Sequence, residues 1–219
     1  MSIKALVPVR SGSMRVKNKN IRPFAGSTLL ELKIRQLLNI KILDGIIVNS
    51  NDDTMLKIAA DLGCETVKRD EYYASNYISM NEVYKNMAEN FDADTVLHVA
   101  VTNPLLKTET LENAIKFYFE NRDKYDSVNA AHLIKEFLFR DNKPINYDLT
   151  YQPRSQDLPD IAALNTAFNI VERETVISNK SVVGSRPYIF IIDPLEGTDI
   201  DEQIDFDFAE FMYLRLNKK

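Results

Sequence analysis

Several features are scarce in this chain, and each shortage excludes a class of protein. Among its 219 residues there is one cysteine, Cys64, so no disulfide bond can form within the chain. A chain without disulfides fits a reducing compartment, and we expect a cytoplasmic protein. No apolar run approaches the roughly 20 residues of a transmembrane helix and no secretory leader is recognisable, so we expect no membrane association. The net charge of −5 argues against general nucleic-acid binding, which needs a basic surplus.

Two common phosphate-binding motifs are also missing, although the start of the chain is suited to bind phosphate. The sequence contains neither G-x-x-x-x-G-K-[ST] nor a G-x-G-x-x-G after a strand. Instead, the apolar residues 3–9 predict a strand, and residues 10–22 follow with five basic side chains and no acidic one. Backbone N–H groups near Gly12 and Ser13 can surround an anion. The side chains that can bond phosphate oxygens there are Arg10, Arg15 and Lys19. This loop indicates a nucleoside triphosphate site, with a solvated basic surface as an equally good alternative.

Alternating strand and helix patterns predict one α/β domain over residues 1–219, with a mostly parallel sheet covered by helices on both faces. After the first strand, the predicted strands are residues 45–49, 65–67, 95–101, 127–131, 167–171 and 188–192. The predicted helices are residues 29–38, 53–62, 80–90, 109–119 and 204–216. The last helix is expected to turn an apolar face, formed by Phe208, Phe211, Met212 and Leu216, toward the core.

Residues 132–166 interrupt this alternation. Two prolines, Pro153 and Pro159, lie among polar residues there, and no clear periodicity is present. A segment of this length in a compact domain is usually functional rather than a passive connection. We therefore expect an excursion from the domain that serves as a lid or an association arm.

A pair of aspartates near the end of the chain forms a second candidate site. Asp199 and Asp201 stand two residues apart, so on an extended backbone their carboxylates point the same way. Mg²⁺ takes one or two carboxylates and completes its coordination with water and phosphate oxygens. The pair could instead cap the helix that follows. Together with the N-terminal loop, it favours nucleotidyl transfer, in which cations neutralise the charge of a pyrophosphate leaving group.

The order of several short motifs resembles the acylneuraminate cytidylyltransferase family, the CMP-sialic acid synthetases. Residues 10–21 are similar to the family's opening motif, R-x-G-S-K-x-I-x-x-K-N-I. The other similar segments are 48–52, Arg69 followed by Ser79, 102–105, 156–159, 165–168, 184–188 and Asp199-Ile200-Asp201. The resemblance runs from about residue 3 to about residue 212, with every motif in order.

This resemblance implies a Rossmann-like, three-layer α/β/α nucleotidyltransferase fold, with an excursion at about 132–166 that serves dimerisation or substrate binding. It implies a homodimer that uses Mg²⁺, CTP and a 2-keto sugar acid. The anomeric hydroxyl of the sugar acid attacks the α-phosphorus, which yields the CMP-sugar and pyrophosphate. Carried over by position, the catalytic residues would be Arg10, Lys19 and Asp201. The nucleotide would be bound by Arg10, Gly12, Ser13, Arg15, Lys19, Asn20, Arg69 and Ser79. The sugar would be bound by Gln156 and Asn165, and the metal by Asp199 and Asp201.

Three departures from the family pattern bear on the acceptor. Ala100-Val101 replaces a usual Gln-Pro, Leu106 stands where Arg is usual, and Asp70 replaces a Pro. The missing Gln contacts the acceptor sugar in relatives. We therefore expect the same chemistry on another nonulosonic acid, such as a pseudaminic or legionaminic type, or on a more distant sugar or phosphonate.

Two other functions stay open at this point. A glycosyltransferase could use the D-x-D of residues 199–201 on a nucleotide-sugar, and a degenerate relative could bind nucleotide without catalysis. The histidines do not decide between them, because His98 and His132 are both expected to be structural.

Overall fold

The computed structural model describes residues 1–218. Its strands are β1 (Ile3–Pro8), β2 (Pro23–Phe24), β3 (Ser27–Thr28), β4 (Gly45–Ser50), β5 (Glu65–Lys68), β6 (Thr95–Val99), β7 (Ser127–Ile134), β8 (Phe139–Arg140), β9 (Lys143–Pro144), β10 (Ile161–Glu172) and β11 (Pro187–Ile191). Its helices are α1 (Leu29–Leu38), α2 (Asp53–Asp61), α3 (Glu71–Ala74), α4 (Met80–Glu89), α5 (Thr108–Asn121), α6 (Arg173–Asn179) and α7 (Gln203–Leu216), with a 3₁₀ helix at Ser155–Asp157. Within residues 1–218, none of the helices combines the length and apolarity needed to cross a membrane.

Seven of the strands form one mixed sheet in the order β11-β7-β10-β6-β1-β4-β5. Strand β10 is antiparallel to both of its neighbours, and the other neighbouring pairs are parallel. Alternate strand residues point to opposite faces, so the sheet buries two apolar clusters. One cluster includes residues of α1, α2, α5 and α7, and the other includes residues of α4 and α6. The predicted α/β class, with a mostly parallel sheet between helical layers, is confirmed.

The parallel strands β1, β4 and β6 direct three polar segments toward one edge of the sheet. Strand β1 lies between β4 and β6, and all three run the same way. The loops that follow their carboxyl ends therefore lie next to each other at this edge, which is where α/β proteins bind ligands. Strand β6 ends at Val99, two residues earlier than predicted, so Ala100 and Val101 already belong to this edge.

The sequence pattern predicts no strand within residues 132–166, whereas the structure extends the sheet into both ends of this segment. Strand β7 continues to Ile134 and β10 begins at Ile161, and these two residues are paired in the antiparallel register. Between them lie the β8–β9 hairpin and the 3₁₀ helix. The first four residues of β10 alternate between half-buried and exposed, without a buried position. Such a ribbon has little apolar periodicity, which is why the sequence pattern did not predict it.

The predicted apolar face of the last helix is also wrong. Helix α7 buries Phe206 and Ala209, whereas Phe208, Phe211 and Leu216 are exposed. The ring of Phe206 packs edge-on against Phe24, with ring centroids 5.3 Å apart. The helix carries two apolar stripes with helical spacing, and only contacts with distant residues decide which stripe is buried.

A buried lysine makes the stability of the fold depend on pH. Lys33 on α1 is 2% exposed, and its Nζ donates to Gln36 Oε1 (2.8 Å) and to the Asn103 carbonyl (3.1 Å). Burial lowers the pKa of Lys33 from 10.5 to about 7, because a poorly solvated site disfavours the ammonium ion. At a pH between these two pKa values, Lys33 is protonated in the unfolded chain and deprotonated in the folded chain. Unfolding then takes up a proton, so stability rises with pH.

We therefore expect the free energy of unfolding of the wild type to rise relative to that of Lys33→Met above pH 7. The difference should grow by up to about 1.4 kcal/mol per pH unit. Urea unfolding of both proteins across this range measures it, and the other titrating groups largely cancel because both proteins share them. Parallel curves for the two proteins would show that Lys33 keeps its ordinary pKa.

Candidate functional site

A cavity of about 720 Å³ opens at the carboxyl edge of the sheet. Its walls come from the loop after β1, from the segment around α3 and the start of α4, from the end of β6, and from Asp201. The candidate residues that line it are Arg10, Gly12, Ser13, Arg15, Lys19, Asn20, Arg69 and Asp201. The structure therefore brings most of the predicted site residues together around one cavity.

The basic loop is held in place by its own polar side chains. Asn20 is buried, and its Nδ2 donates to the Arg10 carbonyl at 3.1 Å, which ties the two ends of the loop together. The Ser11 N–H donates to Asn51 Oδ1 at 3.1 Å, which anchors the loop to the end of β4. Gly12 has φ of +82°, where a side chain would be strained even though a Cβ would meet no atom within 4 Å. These contacts fix the backbone whose N–H groups were expected to surround an anion.

Arg10 connects this loop to the opposite wall of the cavity. Its guanidinium donates to the Ala74 carbonyl at 2.8 Å and to Asn76 Oδ1 at 2.9 Å. Arg69 lies deeper and is 5% exposed, with Nε 2.6 Å from Asn49 Oδ1 and Nη2 3.0 Å from the Asn49 carbonyl. Burial, followed by the charge of Arg10, lowers the pKa of Arg69 to about 10. Arg69 therefore remains positively charged at neutral pH.

The N-terminal loop and the acidic segment meet at the mouth of the cavity. Arg15 Nη2 lies 2.7 Å from Asp201 Oδ1, and Lys19 Nζ donates to the Ile200 carbonyl. The Ile200 N–H donates to the Thr102 carbonyl at 3.0 Å, which fixes the acidic segment beside the end of β6. Burial lowers the pKa of Lys19, whereas the negative charges of Asp199 and Asp201 oppose that shift. Cations and carboxylates separated by about 180 residues of sequence therefore share one small region.

Asp199 and Asp201 provide oxygen atoms that suit a hard cation. Asp199 Oδ1 is buried without a hydrogen-bond partner among the described residues. Burial raises the pKa of Asp199 and the charge of Asp201 adds to the shift, while Thr102 and Lys19 oppose it. Residues 1–218 contain no cluster of three or more His, Cys, Asp or Glu arranged around a metal position. Two carboxylates fit Mg²⁺, which commonly completes its octahedron with phosphate oxygens and water.

Capping of the last helix does not account for this aspartate pair. Helix α7 is capped by Glu202, whose side chain accepts from the backbone of the first turn. Asp205 Oδ2 accepts from the Glu202 N–H at 2.7 Å and completes the capping box. The alternative that Asp199 and Asp201 serve as helix caps is therefore wrong.

Four predicted site residues are not among those that line the cavity, and Asp199, described above, is one of them. Ser79 is exposed and caps α4, since its Oγ accepts from the Glu82 N–H at 3.4 Å. Gln156 is exposed on the 3₁₀ helix. Asn165 is buried, with Oδ1 accepting from the Ala167 N–H at 3.2 Å and Nδ2 without a partner within residues 1–218.

Sequence reasoning missed part of the cavity wall. His98 lines it, although it was expected to be only structural, and so do Ala100 and Thr102, which the sequence comparison noted without naming them as site residues. The available signal was their spacing of two residues near a strand end, which places side chains on the same face of a sheet. Asn76 was also missed, and its contact with Arg10 could not be read from a segment without periodicity.

Comparisons with known proteins agree with this arrangement. The family model described as "Cytidylyltransferase" matches residues 4–215. A pseudaminic acid cytidylyltransferase of Campylobacter jejuni subsp. jejuni serotype O:2 is 26% identical over 219 residues, which cover 95% of this chain and 94% of that protein. An N-acylneuraminate cytidylyltransferase of Oncorhynchus mykiss is 26% identical over 222 residues, which cover 97% of this chain and 50% of that protein.

The fold is also similar to a solved structure of CMP:2-keto-3-deoxy-manno-octonic acid synthetase complexed with CTP. The TM-score is 0.74 at 12% sequence identity, and the match covers 99% of this chain and 100% of that chain. This likeness confirms the predicted Rossmann-like nucleotidyltransferase fold.

Proposed function

The chain belongs to the cytidylyltransferase family, and we propose that it transfers CMP from CTP to a sialic-acid-like 2-keto sugar acid with release of pyrophosphate. The resemblance to acylneuraminate cytidylyltransferases is confirmed by the family match and by the similar proteins. The observation that carries the proposal is the meeting of the basic loop and the acidic segment 199–201 at one cavity, which Asp201 lines. In this reaction the anomeric hydroxyl of the sugar acid attacks the α-phosphorus, and the bond to the pyrophosphate oxygen breaks.

The N-terminal loop would bind the triphosphate. Arg10, Arg15 and Lys19 bring three positive charges to the cavity, and the backbone at Gly12 and Ser13 can approach phosphate oxygens closely. The Arg15–Asp201 pair has side chains that are 59% and 49% exposed, so it is weak and both partners can exchange for a ligand. Arg15 can then bond phosphate while Asp201 turns to a metal ion. These residues would hold the reactants in line and stabilise charge on the leaving group.

The nucleoside would lie deeper, beside Arg69. Its guanidinium is fixed by Asn49 and stands among apolar side chains of the cavity, including Met87, which suits a base with polar edges. Asn20 would act indirectly, because its amide braces the loop. Ser79 would contribute by fixing the start of α4, since its hydroxyl serves as the cap.

Asp199 and Asp201 would hold Mg²⁺, which when bound supplies positive charge beside the α-phosphate and the pyrophosphate. The chain would contribute Asp199 Oδ1, which is buried and has no hydrogen-bond partner within residues 1–218, and the neighbouring carboxylate of Asp201. Lys19 would reach the same phosphates from the other side, since it lies against Ile200 between the two aspartates. The two aspartates and Lys19 would together set the charge balance at the reacting phosphate.

The acceptor side would involve Gln156 and Asn165, which lie on the segment at about 132–166. We propose a single domain over residues 1–219 whose excursion supports a homodimer. Exposed apolar side chains occur along that excursion at Phe139, Ile145, Leu149, Tyr151 and Leu164. Partner residues would then complete the acceptor side, and Gln156 could act there without lining this cavity. We place the protein in the cytoplasm, where CTP is available and Cys64 stays reduced.

The departures from the family pattern affect one position of the cavity more than the others. Ala100 lines the cavity with only a methyl group, so the acceptor contact of the usual Gln is lost. Leu106 is 3% exposed in the core, and Asp70 caps α3 by accepting from the Tyr72 N–H at 2.8 Å. These two changes are therefore accommodated structurally, and a nonulosonic acid of the pseudaminic or legionaminic type remains our proposed acceptor.

Calorimetry with CTP, UTP, ATP and GTP, with and without Mg²⁺, tests the proposal without a choice of acceptor. We expect CTP to bind at least tenfold more tightly than the other nucleotides and to require Mg²⁺ for full affinity. Pyrophosphate release with nonulosonic acids then distinguishes an enzyme from a relative that only binds nucleotide. A parallel titration with UDP-glucose tests the glycosyltransferase alternative, which tighter binding of that nucleotide-sugar than of CTP would support and which the family match disfavours.

A further inference from the structure

We propose that His98 binds the acceptor, by donating a hydrogen bond from Nε2 to an uncharged oxygen of the sugar acid. This inference rests on the proposed transfer of CMP, and it adds a specificity-determining residue to that site. His98 is 5% exposed on β6, yet it contributes to the cavity wall together with Ala100. Its ring stands edge-on to Tyr84 at 5.6 Å between centroids, which fixes the plane of the imidazole.

A chain of buried hydrogen bonds fixes which nitrogen of His98 carries the proton. Asn129 Nδ2 donates to the Val182 carbonyl at 3.0 Å and to Asn169 Oδ1 at 2.8 Å. Ser127 Oγ donates to Asn129 Oδ1 at 2.8 Å. A carbonyl oxygen can only accept, so the orientation of Asn129 is set, and with it that of Asn169. Asn169 must therefore turn its Nδ2 toward His98 Nδ1, at 3.2 Å.

The consequence is a neutral imidazole that donates from Nε2. Because the Asn169 amide donates to Nδ1, that nitrogen has to accept, and the proton of the neutral ring resides on Nε2. Burial, helped by the positive charge of Arg69, lowers the pKa of His98 to about 4. The ring is therefore uncharged at physiological pH. Since Nδ1 faces the sheet neighbour Asn169, Nε2 is the polar atom that His98 offers to the cavity.

The order of the strands places His98 on the acceptor side. The basic loop follows β1 and Arg69 follows β5, so both proposed nucleotide contacts lie on the side of β6 that continues through β1 and β4. The hydrogen-bond partner of His98, Asn169, lies on β10 at the opposite side of β6. With triphosphate and nucleoside on the first side, the space over β6 is left for the sugar acid. The small side chain of Ala100 leaves His98 accessible from that space.

The surroundings of His98 determine what it can recognise. Val83 and Met87 also line the cavity and are apolar, while the nearby guanidinium of Arg69 is held by Asn49. A neutral N–H donor can bind the uncharged oxygen of a hydroxyl or amide group and does not need a negatively charged carboxylate. An acceptor without an oxygen at this point would leave a buried N–H unpaired, which is how such sites reject analogues. His98 would thereby replace part of the contact that is lost with Ala100.

A pair of substitutions separates substrate binding from structural support. In His98→Asn, the side-chain oxygen can take the place of Nδ1 and accept from Asn169, but no atom remains at the position of Nε2. In His98→Gln, the longer amide can restore a donor near that position. We expect His98→Asn to lower kcat/KM for the sugar acid about 3- to 10-fold, with unchanged CTP affinity. We expect His98→Gln to recover most of the loss.

The assay uses N-acetylneuraminic acid, pseudaminic acid and N,N'-diacetyllegionaminic acid, and follows the one that the wild type uses best. If the wild type transfers CMP to none of them, the proposed function fails and this inference fails with it. If the wild type is active and His98→Asn is unchanged, the inference alone is overturned. A loss of CTP affinity in His98→Asn equal to the loss in kcat/KM would also overturn it, by placing His98 beside the nucleotide.

The tautomer provides a readout that is independent of turnover. The sequence has two histidines, so ¹H–¹⁵N spectra of the imidazoles contain two ring systems, and His132→Gln assigns them. We expect the proton of His98 on Nε2 across the range from pH 6 to 8. A proton on Nδ1, or a charged ring in that range, would overturn the inference.

Discussion

Replacing Lys19 by alanine lowers kcat for CMP transfer by about 10²- to 10³-fold, which is the loss typical of one preorganised donor in an active site. Lys19 Nζ is held against the Ile200 carbonyl, between the two aspartates of the proposed metal site. Its charge is partly withdrawn from water, which strengthens its interaction with phosphate. Charge on the pyrophosphate increases as the bond to the α-phosphorus breaks. The loss should therefore appear in kcat more than in CTP affinity.

Lys17→Ala is the matched control for this experiment. Lys17 lies two residues away in the same loop, is exposed, and makes no hydrogen bond or ion pair among residues 1–218. We expect its kcat to stay within about twofold of the wild type, because an exposed charge is screened by solvent. Pyrophosphate release under saturating CTP and acceptor measures both variants. A near-normal kcat for Lys19→Ala would remove Lys19 from the catalytic role.

The chemistry of two separate sequence segments was sufficient to predict that they belong to one site. A cationic loop after the first strand and a D-x-D pair near the end of the chain suit the same triphosphate, and the structure joins them through Arg15 and Asp201. The strand–helix alternation likewise predicted the sheet, because buried parallel strands leave strong apolar runs. The direction of β10 was not predictable, since an apolar strand has the same pattern whichever way it runs.

Side-chain partners were harder to predict than positions in the chain. Ser79 and Asn20 both fall within family-like motifs, yet the first caps α4 and the second braces the basic loop. The buried stripe of α7 depends on Phe24, which is more than 180 residues away in sequence. To predict the role of His98, one would need to know where β6 ends and which hydrogen bonds connect His98 to side chains on β10 and β7. Such contacts depend on tertiary packing, which periodicity and local propensity do not encode.

Replacing Asp201 by asparagine raises the Mg²⁺ concentration needed for half-maximal activity by about 10- to 100-fold or more. Loss of a residue that only supports a metal ligand typically costs that much, and loss of a ligand itself should cost no less. The change keeps the size of the side chain but removes one of the two carboxylates that would hold the cation. It also removes the charge that faces Arg15, whose exposed ion pair contributes little to stability. We therefore expect an unchanged fold and a weakened metal site.

Glu202→Gln distinguishes loss of a metal ligand from loss of charge near Arg15. Glu202 Oε1 lies 3.6 Å from Arg15 Nη1, so this variant removes a neighbouring negative charge. Glu202 also caps α7, and an amide oxygen can still accept the capping hydrogen bond. Mg²⁺ titrations of pyrophosphate release, with CTP binding measured by calorimetry at each concentration, compare the two variants. Equal Mg²⁺ requirements would mean that Asp201 acts only through the local field, whereas a shift confined to Asp201→Asn assigns the carboxylate to the metal.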